Sequence, residues 1–279
     1  MLYIYLFVCA AMILFNIVTA ILFLVGERKT EMVSKNLRYR VLVQLKEAEK
    51  NAPTDKKHTA YLSRKLRKVG NMIAFDKMLE AEYINHPQQI RNYLHGLDGV
   101  FISLMAYYAK RNRIEAAYFP YIIKKYRVIA YRSFPSLEGA LLGLLHEPSI
   151  YCRENAMQAL YTTGDADCIM RAIKIIDKSD MFFHGKLLCD GLLNFAGSSR
   201  VLGEKIVEAF PSFSVEMRVT LLDYLRFSSG EYREFALSLL QNTESDDEIR
   251  YAAIRYLGKY RFDKAYDLLC SLAAEKFGQ

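Results

Sequence analysis

The sequence predicts an all-α protein in which a single N-terminal transmembrane helix is followed by an α-solenoid, a superhelix of stacked antiparallel helix pairs. Three features predict this fold class: an uncharged stretch over residues 2–25, a basic segment directly after it, and a motif that recurs about every 32 residues in the C-terminal half. Of the 279 residues, 52% are hydrophobic and 25% are charged. This composition is typical of an ordered chain with a substantial core.

The uncharged stretch is the first element. Residues 2–25 contain no charged side chain, and Asn16 and Thr19 are their only clearly polar members. A helix of this length is about 36 Å long and crosses a hydrocarbon core of about 30 Å. The alternative is a cleaved signal peptide, which requires a basic residue before a shorter apolar core, whereas the first basic residue here is Arg28. We therefore predict a transmembrane anchor over residues 1–26.

A basic juxtamembrane helical segment, residues 27–70, is the second element. Residues 26–70 hold 13 Lys and Arg against 5 Asp and Glu, and the rest of the chain is nearly neutral, so this segment accounts for the net charge of +7. Positive residues beside a span are retained on the cytoplasmic side. We expect a single-pass protein of the plasma membrane with its N-terminus outside and its C-terminal domain in the cytoplasm.

The basic segment also suggests what it contacts. Basic side chains next to a bilayer attract anionic headgroups, and we assign this role to Arg28, Lys29, Lys35, Arg38, Arg40, Arg64, Lys65, Arg67 and Lys68. Nucleic acid is the alternative, since basic helical faces track phosphates. It is disfavoured because Leu37, Val41 and Leu45 make the first basic stretch amphipathic and the remaining chain is slightly acidic.

The repeated motif defines residues 148–279. A basic residue recurs at intervals of 33, 32 and 32 residues, and a Leu stands seven places after each copy. The basic residues are Arg153, Lys186, Arg218 and Arg250, and the leucines are Leu160, Leu193, Leu225 and Leu257. Turn signals such as Gly164-Asp165 separate each copy from a second apolar stretch, so each unit reads as a helix pair. Such a pair buries its apolar faces only by stacking on its neighbours.

Two of the copies resemble a known family. Ile150–Leu160 followed by Gly164-Asp165, and Glu248–Gly258, are similar to HEAT repeats of the short bacterial type, which also occur in lyases that attach bilin chromophores to phycobiliproteins. The resemblance covers residues 150–272 and implies that the repeated basic residues form a structural ladder between adjacent repeats. Residues 71–147 are helical in pattern but do not fit the register, so we expect a divergent region of degenerate repeats or a cap.

The residues predict no catalytic site, metal site or cofactor. The sequence contains no phosphate-binding glycine motif, no paired histidines and no closely spaced cysteines. The four cysteines after the span, Cys152, Cys168, Cys189 and Cys270, lie in apolar patterns and are expected to be buried and reduced. Glu82 and His86, one helical turn apart, are interpreted as a solvated pair.

These observations favour a non-catalytic scaffold. A solenoid offers an extended binding surface, and the span places that surface at the membrane. We expect a protein partner that is itself membrane-associated, with this chain as an accessory subunit of a membrane enzyme or transporter. A soluble client held at the membrane is the other kind of partner, and the sequence does not separate the two. A lyase-like enzyme and a membrane-surface sensor that binds anionic lipid are the alternatives.

Overall fold

The chain is helical throughout the part that the structure describes. The computed structural model describes residues 2–48, 55–110, 114–130 and 134–277, and these residues form fifteen α-helices and three short 3-10 helices without a β-strand. The predicted all-α class is confirmed. Contacts divide the chain into two compact units, Met1–Arg111 and Asn112–Gln279. The predicted boundaries at residues 26, 70 and 147 do not coincide with this division, and the domain assignment stays a prediction.

The first helix, α1 (Leu2–Ala48), has two parts of different character. Its N-terminal part is apolar on all sides: an 18-residue window has a mean hydropathy of 2.7 and none of it is buried. Among the described residues, α1 is the one helix long and apolar enough to cross a membrane. Its C-terminal part is amphipathic, and Leu37, Val41 and Leu45, spaced four residues apart, are buried. The predicted border between anchor and basic segment therefore lies inside one continuous helix.

The rest of the first unit packs around this amphipathic part. It consists of α2 (Lys56–Lys65), α3 (Val69–Tyr83), α4 (Pro87–His95) and α5 (Asp98–Tyr108). Helices α3 and α4 contact α1, and α2 contacts α5. The buried Tyr108 hydroxyl donates a 2.8 Å hydrogen bond to the carbonyl oxygen of Leu66, which joins the end of α5 to the end of α2.

The second unit contains ten α-helices and the three 3-10 helices within the described residues. The α-helices are α6 (Ile114–Lys125), α7 (Pro135–Gly143), α8 (Ile150–Leu160), α9 (Ala166–Asp177), α10 (Gly185–Leu193), α11 (Ser199–Ala209), α12 (Val215–Ser228), α13 (Arg233–Gln241), α14 (Asp247–Lys259) and α15 (Tyr266–Phe277). Several begin at side chains that cap free backbone N–H groups: Asp165, Ser198, Ser214 and Asp246 each accept such a bond. Gly164 supplies the positive φ of 76° in the turn before α9.

Helices two apart in the chain pack on each other in the second unit. Helix α6 contacts α8, α10 contacts α12 and α12 contacts α14. On the other helix of each pair, α7 contacts α9 and α9 contacts α11. Contacts of this kind are what the repeated motif predicts, and the stacking of successive pairs into a solenoid stays a prediction.

Candidate functional site

Three of the four predicted ladder residues occupy the same position in their helices. Arg153, Arg218 and Arg250 are each the fourth residue of α8, α12 and α14, and the Nε atom of each is buried without a hydrogen-bond partner among the described residues. Lys186 is the second residue of α10 and is exposed, whereas the fourth, Leu188, is buried. The second copy of the motif is therefore shifted relative to its helix. Helix α10 begins one residue before Lys186, whereas α8, α12 and α14 each begin three residues before their arginine.

Arg153 connects two successive repeats. Its side chain is only 6% exposed. One terminal nitrogen donates to the carbonyl oxygens of Glu147 and Pro148, at 2.8 and 2.9 Å, and the other donates to the carbonyl oxygen of Phe182 at 2.9 Å. These bonds compensate the burial of the guanidinium. They also fasten the loop of residues 178–184, which precedes α10, to the start of α8.

The other arginines make different contacts. Arg250 lies 3.5 Å from Asp247 of its own helix, so this ion pair does not cross between repeats. A pairing that the sequence did not indicate joins α12 to α14: Asp223 lies 3.1 Å from Arg226 of its own helix and 3.8 Å from Arg255 of the next one. The contacts between neighbouring repeats are thus made by different kinds of residue, and the repeated basic residue supplies only some of them.

The loop that Arg153 fastens forms one wall of a cavity. The cavity measures about 300 Å³ and lies between the end of α9 and the first turns of α10 and α12. Its lining residues are Ile176, Asp177, Ser179, Asp180, Met181, Phe182, Phe183, Gly185, Leu188, Ser214, Glu216, Met217 and Thr220. We call it the loop cavity.

Close contacts fix the walls of the loop cavity. Ser214, the N-cap of α12, donates to Asp177 at the end of α9 through its hydroxyl and, at 3.2 Å, through its backbone N–H. Gly185, the first residue of α10, approaches Thr220 so closely that a β-carbon would collide with the threonine hydroxyl. The cavity therefore depends on residues from three separate helices.

The loop cavity combines apolar and acidic groups. Phe182 is 66% exposed although it is a large aromatic residue. Three carboxylates, those of Asp177, Asp180 and Glu216, lie among the lining residues, and none of the lining residues is Lys or Arg. Such a surface suits an apolar side chain flanked by positive charge. No sequence motif marks this site, because its lining comes from segments up to 44 residues apart in the chain.

The nine predicted membrane-surface residues do not form one cluster. Arg28, Lys29 and Lys35 lie on exposed turns of α1, where Lys35 also pairs with Glu31 at 2.9 Å. Four others, Arg64, Lys65, Arg67 and Lys68, are exposed at the end of α2 and in the turn before α3.

Arg38 and Arg40 are engaged within the first unit. Arg38 Nε lies 2.6 Å from Glu82 Oε1, and the Glu82 side chain is buried. The expectation that Glu82 is solvated beside His86 is therefore wrong: α3 buries this carboxylate against α1, and the arginine compensates its charge. The Arg40 guanidinium lies 4.3 Å from the centre of the Tyr61 ring, a cation–π distance.

Arg40 also faces a second cavity. This cavity measures about 690 Å³, lies between α1 and α2, and is lined in part by His58 and Tyr61. His58 is buried, with Nε2 2.7 Å from the Tyr93 hydroxyl. Desolvation lowers the pKa of His58, and the positive charge of Arg40 lowers it further.

The cysteines divide into buried and exposed groups. Cys152, Cys168 and Cys189 are buried, and desolvation raises their pKa values to about 11, about 12 and about 11. Such thiols are unreactive. Cys270 is exposed, which contradicts the expectation that all four cysteines after the span are buried. None of the described side chains of α15 over residues 266–274 is buried, so the apolar pattern around Cys270 does not lie against a covering surface.

Within the described residues, no group of three or more His, Cys, Asp or Glu side chains is arranged to hold a metal ion. No protein-family model, curated protein or solved structure matches this chain. The resemblance to HEAT repeats therefore rests on the residues quoted above.

Proposed function

We propose that this chain is a non-catalytic scaffold, anchored in the membrane by α1, that binds a protein partner at the cytoplasmic face of the plasma membrane. The observation that carries the proposal is the contrast within α1. Large side chains such as Phe15 and Phe23 are 67% and 71% exposed, while the same helix continues into the buried core of the first unit. A surface that is apolar all round favours lipid as its environment.

The solenoid is part of this proposal. Packing between helices two apart, together with the fourth-position arginines of α8, α12 and α14, supports stacked HEAT-like pairs over residues 148–279. Stacked pairs present a long surface on which a partner is held, and the anchor restricts that surface to the vicinity of the bilayer. A membrane enzyme or transporter with this chain as an accessory subunit is the partner class we propose.

The loop cavity is the proposed docking point on this surface. Its carboxylates and exposed phenylalanine favour a partner segment in which an apolar side chain stands next to Lys or Arg. Cytoplasmic loops of membrane proteins are rich in Lys and Arg. The charge of the loop cavity thus suits the kind of segment that a membrane-embedded partner offers.

The partner is tested by affinity capture of tagged full-length protein in mild detergent. We expect one integral membrane protein in fixed ratio with the wild type, and its loss from the variant Asp180→Asn/Phe182→Ala/Glu216→Gln. A matched variant, Glu231→Gln/Glu244→Gln, neutralises two exposed acids outside the loop cavity and should retain the partner. Equal capture by both variants would remove the loop cavity from the proposal, and the absence of any stoichiometric partner would refute the scaffold function.

The orientation is tested through Cys270, which is exposed in the first half of α15. A thiol reagent that cannot cross membranes should label Cys270 only after cells are broken, and Cys270→Ser should abolish that labelling. Labelling in intact cells would place the C-terminal domain outside. Extraction of the protein by alkaline carbonate would show that α1 does not span the membrane.

A further inference from the structure

The two helices that follow α1 run in opposite directions along it. At the start of α2, the backbone N–H of Asp55 donates to Gln44 Oε1 at 3.0 Å. Further along α2, Tyr61 lies against Arg40, which is closer to the apolar part of α1. As the chain advances along α2, its neighbours in α1 therefore have lower numbers, and α2 returns toward the apolar part.

Helix α3 runs in the opposite direction to α2, away from the apolar part of α1. Lys77 lines a groove together with Leu24, at the end of the apolar part, and with Glu27, Arg28, Glu31 and Ser34 of the turns after it. Five residues later, Glu82 is paired with Arg38. The turn between α2 and α3 consequently lies at the end of the first unit that faces the apolar part of α1.

This turn is basic and well defined. Asn71 donates from its side chain to the carbonyl oxygen of Lys65 at 2.8 Å and from its backbone to that of Lys68 at 2.9 Å. Arg64, Lys65, Arg67 and Lys68 are exposed on it. The sequence contains no Asp or Glu between Asp55 and Asp76, so no carboxylate of this stretch offsets these charges.

Distances along α1 separate this turn from the other basic residues. A helix rises about 1.5 Å per residue, so Arg38 and Arg40 lie roughly 20 Å beyond Val25. The headgroup layer is only about 5–8 Å thick on each side, and charges are screened over about 8 Å at physiological ionic strength. By this distance, Arg38 and Arg40 are too far from the end of the apolar part to contact headgroups.

We infer that the α2–α3 turn, through Arg64, Lys65, Arg67 and Lys68, binds the anionic headgroups of the membrane that α1 crosses. Arg28, Lys29 and Lys77 lie at the same end of the unit, where Glu27 and Glu31 partly offset their charge. The inference rests on the proposed span. The sequence predicts headgroup contact for nine basic residues along the juxtamembrane segment. The inference limits this contact to one end of the first unit and assigns Arg38 and Arg40 to contacts with Glu82 and Tyr61.

The lysines of α2 and of the turn after it provide an internal control. Lys65 and Lys68 lie at the end that faces the apolar part, whereas Lys56 and Lys57 are exposed at the opposite end. The full-length protein is placed in nanodiscs of phosphatidylcholine, with or without phosphatidylglycerol, and treated with an amine-acetylating reagent. Mass spectrometry then gives the modification rate of each lysine.

We expect phosphatidylglycerol to slow acetylation of Lys65 and Lys68 by about fivefold, the factor that corresponds to about 1 kcal/mol per charge near an anionic surface. Lys56 and Lys57 should react at the same rate in both nanodiscs. Arg64→Gln should reduce the protection of Lys68, and the matched variant Lys57→Gln should leave it intact. Inorganic phosphate added to phosphatidylcholine nanodiscs should not reproduce the protection, since the source is the lipid surface.

The outcomes separate this inference from the proposed span. Amide hydrogen exchange over residues 2–25 is measured in the same nanodiscs. Slow exchange there, together with equal acetylation of Lys65 and Lys68 in both lipids, would overturn the headgroup contact and leave the span intact. Fast exchange over residues 2–25, or failure of the protein to stay in the nanodiscs, would overturn the span and the inference with it.

Discussion

The ring of Tyr161, at the end of α8, occupies the space in which a side chain at Gly191 of α10 would begin. The Tyr161 hydroxyl lies 3.4 Å from the carbonyl oxygen of Leu188 in the same helix. Successive repeats are thus joined by an aromatic ring that fits against backbone. Two further glycines, Gly203 and Gly230, are contacted in the same way by Tyr232 and Tyr260.

Replacing Gly191 with Ala should destabilise the second unit. The new methyl group would overlap the ring of Tyr161, which is buried and cannot move aside without displacing its neighbours. Overpacking of this kind costs about 1–3 kcal/mol. Urea unfolding followed by far-UV circular dichroism measures the change, since the chain has no Trp to report by fluorescence.

Gly258→Ala is the matched control. Gly258 lies in the last turns of α14, and a β-carbon there would meet no atom within 4 Å. Alanine favours the helix by about 0.5–1 kcal/mol over glycine, so this variant should be as stable as the wild type or more stable. Equal effects of the two substitutions would show that the contact with Tyr161 is not responsible.

Replacing Arg153 with Met should destabilise the protein by about 2–4 kcal/mol. The change leaves the carbonyl oxygens of Glu147, Pro148 and Phe182 without their charged donor, and hydrogen bonds to charged groups are worth about 1.5–3 kcal/mol each. The loop of residues 178–184 should also lose its attachment, so the proposed partner should bind more weakly. Both effects are measured on the same purified variant, by urea unfolding and by affinity capture.

Lys186→Met provides the comparison for Arg153. Lys186 is the corresponding residue in the sequence motif, but it is exposed in the structure. Surface substitutions of this kind change stability by about 0.5 kcal/mol or less. If Lys186→Met lost as much stability as Arg153→Met, Lys186 would have the structural role that the sequence predicts for it, and the register shift at α10 would be contradicted.

The sequence predicts the helices better than their register. Arg153, Arg218 and Arg250 share one helical position because each stands three residues after the first residue of its helix, and this is visible as a period. Lys186 fits the same period, but its helix begins only one residue before it. The motif predicts that Leu193 is buried, whereas in the structure Leu193 is 43% exposed. One residue of difference in a loop rotates a helix by about 100°, and spacing alone does not reveal which residue begins the helix.

Contacts between distant segments were not visible in the sequence. The charge pattern correctly marks residues 27–70 as basic, yet it does not distinguish Arg38, which pairs with Glu82, from Lys68, which is exposed. The difference arises from the packing of α3 on α1. The loop cavity was missed for the same reason, because three helices and a loop create it and none of them carries a motif for it.

Thiol reactivity should separate the buried cysteines from Cys270. At about pH 8, a thiol with a pKa of about 11 is ionised in only about one molecule in a thousand. Cys152, Cys168 and Cys189 should therefore react with a soluble thiol reagent only after unfolding, while Cys270 reacts at once. Mass mapping after a short exposure counts the labelled sites, and rapid labelling of Cys168 in the folded protein would contradict its burial.

Acid should weaken the first unit through His58. Burial and the charge of Arg40 lower the pKa of His58 in the folded protein, and the opposing effect of Asp55 is smaller. The unfolded chain therefore binds the proton at higher pH than the folded one, so the contribution of neutral His58 to stability is fully present above about pH 6.5 and is lost as the pH falls below it. Lowering the pH from about 7.5 to about 5.5 should reduce the free energy of unfolding in the wild type, and His58→Gln should reduce that dependence. His86→Gln, an exposed residue at the start of α4, should keep the wild-type dependence, and a His58→Gln variant with unchanged pH dependence would show that another group is responsible.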